Sequence, residues 1–124
     1  MNQEKFKEII EGMHEYQGLV SLYLLNSEGD TIFKFGETQL QNHEGKSILK
    51  AWKEKESSLN YQQSRYAILK NDDIQLAAKN ITGGKGNIAG SITKEGDYLI
   101  AHIDQDTDLI LLEWSILVNK LAWS

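Results

Sequence analysis

The sequence predicts an α+β domain: an antiparallel sheet of about six strands, with three helices. Three observations carry this. Apolar residues near both ends recur at helical spacing, as in Phe6, Ile9, Ile10 and Met13 and again in Ile110, Trp114, Leu117 and Leu121. The middle of the chain holds short strand-like runs bounded by turn residues. Most connections between those runs are too short for parallel crossovers, so neighbouring strands run antiparallel.

Each element follows from its own pattern. Phe6, Ile9, Ile10 and Met13 make one helix face, and Glu4, Lys5, Lys7, Glu8 and Glu11 cover the rest until Gly18 breaks the period. Residues 19–25 are apolar on both alternating faces, with only Ser21 interrupting, which suits a strand covered on both sides. A turn at Ser27-Glu28-Gly29-Asp30 leads to a second strand over 31–35. From about 41 to 57 the period is helical again, with Ile48, Leu49 and Trp52 on one stripe and charged residues elsewhere. Four strands follow. Runs 65–70 and 74–81 meet at Asn71-Asp72-Asp73, and runs 87–93 and 98–103 meet at Lys94-Glu95-Gly96-Asp97. Between these hairpins lies Gly83-Gly84-Lys85-Gly86. The acidic cluster Asp104-Gln105-Asp106-Thr107-Asp108 suits the start of a last helix over 109–123. That helix is apolar on two stripes and needs two partners, a sheet and the first helix. Nine residues separate Trp114 from Trp123, which sets them on opposite sides, one in the core and one available.

Composition narrows the function classes. The 124 residues form one domain, 1–124, with no linker or repeat to divide them. A compact chain of this mass exposes about 6,700 Å² where the extended chain exposes about 20,000 Å², enough burial to stand without disulfides or metal. No cysteine is present, which removes thiol nucleophiles, zinc–thiolate sites and iron–sulfur clusters. A net charge of -5 argues against nucleic acid or an anionic membrane as the main partner. No apolar run approaches the length of a membrane span, and no apolar signal core follows the first five residues, so membrane insertion is not expected and the default compartment is the cytoplasm.

Motifs that carry chemistry are weak throughout. Glu44-Gly45-Lys46-Ser47 ends like a phosphate-binding loop, but Leu40 stands where its first glycine belongs. Asp104, Asp106 and Asp108 begin like a calcium loop, yet Leu109 replaces the glycine and Ser115 the closing glutamate. The glycines at 83–86 fit a flexible turn that offers Lys85 to a protein partner better than they fit an anion cradle. His14, His43 and His102 are too scattered for a metal site, and His102 alternates with Ile100 and Tyr98 as a strand histidine. With no nucleophile motif and no paired carboxylates, an enzyme is not expected, and no metal or cofactor is implied.

The stretch Ser64-Arg65-Tyr66-Ala67-Ile68-Leu69-Lys70 running through its hairpin to Ile81, the turn Gly83-Gly84-Lys85-Gly86, strands 87–93 and 98–104, and a closing helix together resemble the profilin family of actin-monomer-binding proteins. The brief segment 56–63 is most similar to the compact profilins of Asgard archaea. The resemblance implies a sheet with the N- and C-terminal helices on one face and the middle helix on the other. It also implies a cytoplasmic, cytoskeletal protein that binds an actin or actin-like monomer without catalysis. It places the actin face on the second-half strands and the start of the last helix, at Lys79, Lys85, Asn87, Asp106 and Asp108. A polyproline platform would draw on Phe6 and Trp123, but Gln3 stands near a position where the family carries tryptophan, so proline-rich peptides should bind weakly. The alternatives are a dimeric adaptor or small-GTPase regulator of roadblock/LC7 type and a sensor domain of PAS-like shape. The narrow apolar stripe of the middle helix suffices for the sheet alone, which predicts a monomer.

Overall fold

A computed structural model describes residues 1–41 and 43–124. Its described residues form helix α1 (Gln3–Met13), strands β1 (Leu19–Leu25) and β2 (Thr31–Phe35), helix α2 (Glu44–Lys53), and strands β3 (Ser58–Tyr61), β4 (Ser64–Asn71), β5 (Gln75–Asn80), β6 (Asn87–Ile92) and β7 (Tyr98–Ile103). Helix α3 (Leu111–Trp123) closes the chain. All strands pair antiparallel in one sheet of order β2-β1-β7-β6-β5-β4-β3.

Strand alternation divides the core into two layers. On one face, Phe6, Ile9 and Met13 of α1 and Trp114, Val118 and Ala122 of α3 pack on Leu22, Leu24, Ala89, Leu99, Ala101 and Ile103. On the other, Ile48, Leu49 and Trp52 of α2 pack on Tyr23, Leu25, Leu76, Ala78, Ile88 and Ile100. The terminal helices therefore share a face and the middle helix takes the opposite one, as the resemblance implied. Gly90 makes the second layer fit, because a β-carbon there would sit 3.0 Å from the Trp52 ring. The chain exposes 6697 Å², the area a single compact body of its mass should expose.

Three details depart from expectation. The sheet has seven strands rather than about six. The addition is β3, joined to β4 by Gln62 and Gln63, whose φ angles of 50° and 65° form a tight left-handed turn. Helix α2 is shorter than the expected 41–57, ending at Lys53 where Lys55 turns left-handed at φ 53°. The expected start also covers residue 42, which lies outside the described residues. Helix α3 begins at Leu111, and the acidic cluster does not cap it. Glu113 instead reaches back to accept the Ile110 N–H at 3.0 Å.

Candidate functional site

The acidic segment serves a different purpose, as an anchor. Asp108 accepts the Gln17 N–H at 2.8 Å through a carboxylate oxygen, and its own N–H donates to the Gln17 carbonyl at 3.1 Å. The Thr107 hydroxyl donates to that same carbonyl at 2.7 Å and accepts the Trp114 indole N–H at 2.7 Å. Asp104 N–H donates to the Gly18 carbonyl at 2.7 Å. Five hydrogen bonds thus tie the loop before α3 to the turn before β1 and to the core tryptophan. Each is ordinary in strength, about 1 kcal/mol net, but together they hold the loop in one conformation.

Beside this loop the sheet presents β5 and β6. Lys79 and Asn87 stand directly opposite each other in the pairing of those strands. They line a shallow groove of about 440 Å³ with Leu69, Asp108, Ile110 and Leu112. Of the five residues the resemblance placed on the actin face, Lys79, Asn87 and Asp108 therefore meet in one groove. Asp106 is exposed on the anchored loop, and Lys85 is exposed in the turn between β5 and β6; neither lines the groove.

Lys85 is nonetheless held from below. Its backbone carbonyl accepts the Tyr66 hydroxyl at 3.0 Å and the His102 Nε2 at 2.8 Å. The second bond requires the proton on Nε2, which leaves Nδ1 as a buried acceptor without a partner among the described residues. Burial disfavours the imidazolium and lowers the His102 pKa, although the bond to Lys85 and the Asp104 charge pull the other way. Burial likewise pushes the Tyr66 phenol up to about 12. Gly86 is obligatory here: at φ 79° a β-carbon would collide with the Ile103 carbonyl.

The two residues considered for polyproline lie apart in character. Phe6 is buried, its ring 5.5 Å from Phe33 at the groove between α1 and β2. Trp123 is 42% exposed, and its indole N–H donates to the Ile92 carbonyl at 2.8 Å. Trp114, nine residues earlier, is fully buried. What the sequence did not reveal is the apolar part of the groove. Leu69, Ile110 and Leu112 are 62%, 66% and 48% exposed around the groove. Within the expected helix 109–123, Ile110 and Leu112 fall on its two apolar stripes and so read as core from helical spacing alone.

The described residues hold no group of three acidic, histidine or cysteine side chains that could bind a metal ion, and no helix is long and apolar enough to cross a membrane. The groove beside the anchored loop combines exposed aliphatic side chains with the opposite charges of Lys79 and Asp108. No protein-family model matches the sequence. Loki profilin-3 of Lokiarchaeum sp. (strain GC14_75) is 60% identical to it over 124 residues, covering all of both chains. The chain belongs to the profilin family. Solved structures agree on the fold. LokiProfilin2 in a complex with rabbit actin superposes with a TM-score of 0.81 at 20% identity, over 98% of this chain and 95% of that one. LokiProfilin1 gives 0.79 at 20% identity over the same shares, and profilin II of Acanthamoeba castellanii gives 0.67 at 17%, over 84% and 82%.

Proposed function

We propose that the chain binds one actin-type monomer and biases its assembly, as a non-catalytic protein of the cytoplasm and cytoskeleton. The observation that carries this reading is 60% identity to Loki profilin-3 over the whole chain, on a fold shared with a LokiProfilin2 that is solved in complex with actin. Family membership replaces the roadblock/LC7 and PAS-like alternatives. The face is formed by β4 to β6 and the anchored loop entering α3, with Lys79, Lys85, Asn87, Asp106 and Asp108 on it. Mixed charges at such a rim steer encounter and set register more than they add affinity.

The test is a titration with monomeric actin encoded by the same organism. Reversing both lysines, as Lys79→Glu with Lys85→Glu, should weaken binding and leave the melting temperature unchanged, since both side chains are exposed. Unchanged affinity would move the face elsewhere. A wild-type protein that binds no such actin would remove the function.

A further inference from the structure

Strand β2 ends the sheet order, so one side of its backbone has no strand partner among the described residues. Between this edge and α1 runs a groove of about 390 Å³, separate from the one beside β5 and β6. Phe6 and Ile10 of α1 and Phe33 and Phe35 of β2 give it an apolar lining, to which Lys7 and Lys34 add positive charge. Phe33 and Phe35 pair with Leu24 and Leu22, whose side chains enter the layer beneath α1. On the outermost strand both rings are only half-buried beside that helix. The groove lies on the side of α1 that faces away from α3. The two helices touch at Gly12, where a β-carbon would come within 2.9 Å of Leu121. At 3.6 residues per turn, Gln3, Lys7 and Ile10 fall on roughly the opposite side of α1. Trp123 therefore takes no part in the lining.

A free sheet edge beside an apolar groove is the geometry of strand addition, in which main-chain hydrogen bonds give affinity and alternate side chains enter pockets. A bulge sets the length. Leu24 pairs with Phe33 and Leu25 with Thr31, so Ile32 has no opposite number and the regular edge runs from Phe33 to Phe35. Lys34 sets the charge. It is exposed and alternates to the other face, so an acidic residue opposite it pairs favourably and a basic one does not. The same lysine disfavours a second copy, because antiparallel pairing of β2 with itself that aligns Phe33 with Phe35 sets Lys34 against Lys34.

We infer that the β2 edge takes an extended segment of a partner protein as an eighth strand, with the pattern apolar–acidic–apolar. The two apolar side chains enter the groove between α1 and β2, and the acidic one meets Lys34. A proline-rich segment does not fit this mode, because proline has no N–H to give to the ladder. Strands β2 and β4 stand near opposite ends of the sheet order, so this edge and the proposed actin face are separate surfaces. The inference goes beyond the proposed function and does not depend on it.

The experiment titrates the isotope-labelled full chain with the blocked peptide Thr-Thr-Leu-Asp-Phe-Thr-Thr and follows backbone amides by NMR. Saturable shifts at residues 31–36 and at Lys7, Ile10 and Glu11 are expected, with slowed amide exchange at β2 and a Kd tighter than about 1 mM. Two further peptides carry N-methyl groups, one on the aspartate and one on both of its neighbours. One of these should lose binding and the other keep it, since alternate N–H groups of a strand point to the same side. Lys34→Glu should weaken binding about fivefold with melting unchanged, and a peptide with lysine in place of the aspartate should restore it. No saturable shift at β2, or equal binding of both N-methylated peptides and the parent, would overturn the inference. So would decaproline binding at the same residues as tightly as the parent peptide. Shifts at β2 that grow with the protein's own concentration would give the edge to a second copy and overturn it as well.

Discussion

His102 shows how one side chain can hold the turn between two strands. It donates to the Lys85 carbonyl only while Nε2 carries the proton, and its buried Nδ1 has no acceptor for a second one among the described residues. Its folded-state pKa lies below the unfolded value of about 6.5. As pH falls, the unfolded chain therefore takes up this proton first. The stability tied to neutral His102 is complete above about pH 6.5 and is lost as the pH falls from there toward the folded pKa. Urea unfolding at pH 7.5 and 5.5 should show wild type losing more stability on acidification than His102→Gln; equal losses in both would contradict this. The second donor to the same carbonyl is Tyr66. Tyr66→Phe should cost about 1 kcal/mol and speed amide exchange in the 83–86 turn. The alternation of Tyr98, Ile100 and His102 made the strand position of this histidine legible. Its partner was not, because the partner is a backbone carbonyl in a turn remote in sequence.

At the scale of elements, the strand that escaped sequence reading is the one whose turn lacks turn chemistry. Two-residue hairpins with both φ angles positive normally use Asn-Gly, and here Gln62-Gln63 fills the place. Tertiary contacts supply what the residues lack: Glu44 of α2 accepts the Gln62 N–H, and the Gln62 amide donates to the Gln39 carbonyl at 3.0 Å. Gln63 is exposed and strained at φ 65°, so Gln63→Gly should raise stability by about 0.5–1 kcal/mol in chemical denaturation, the relief of the left-handed backbone exceeding the entropy glycine adds to the unfolded chain. The start of α3 was misread for a related reason. Acidic residues before an apolar run signal a helix cap, but here Asp108 spends its carboxylate on the Gln17 N–H in a distant turn. The terminal helices carry the polyproline expectation. With Phe6 buried and the Trp123 indole committed to Ile92, a proline-rich peptide should bind more weakly than about 100 μM, a ΔG less favourable than about -5.5 kcal/mol. Saturable low-micromolar binding that disappears in Trp123→Ala would contradict that.

At the scale of the molecule, two-layer packing left its trace in the sequence because strand alternation and helix stripes both record which side faces a core. The groove was legible only through its charged residues, since an exposed leucine on β4 and an isoleucine ahead of a helix look like core in one dimension. Both sheet edges are short, five residues in β2 and four in β3, which limits edge-to-edge pairing between copies. Light scattering at micromolar concentration should return a mass near 14.1 kDa; a value near twice that would mean a dimer. The central claim is that an actin-type monomer sits on β4 to β6 and the anchored loop. Cross-saturation NMR tests it most directly, with the isotope-labelled protein bound to unlabelled monomeric actin encoded by the same organism. Signal loss should concentrate at Leu69, Lys79, Asn87 and residues 106–112 and spare α2 and β2. Loss centred on α2, or none at saturating actin, would contradict the account.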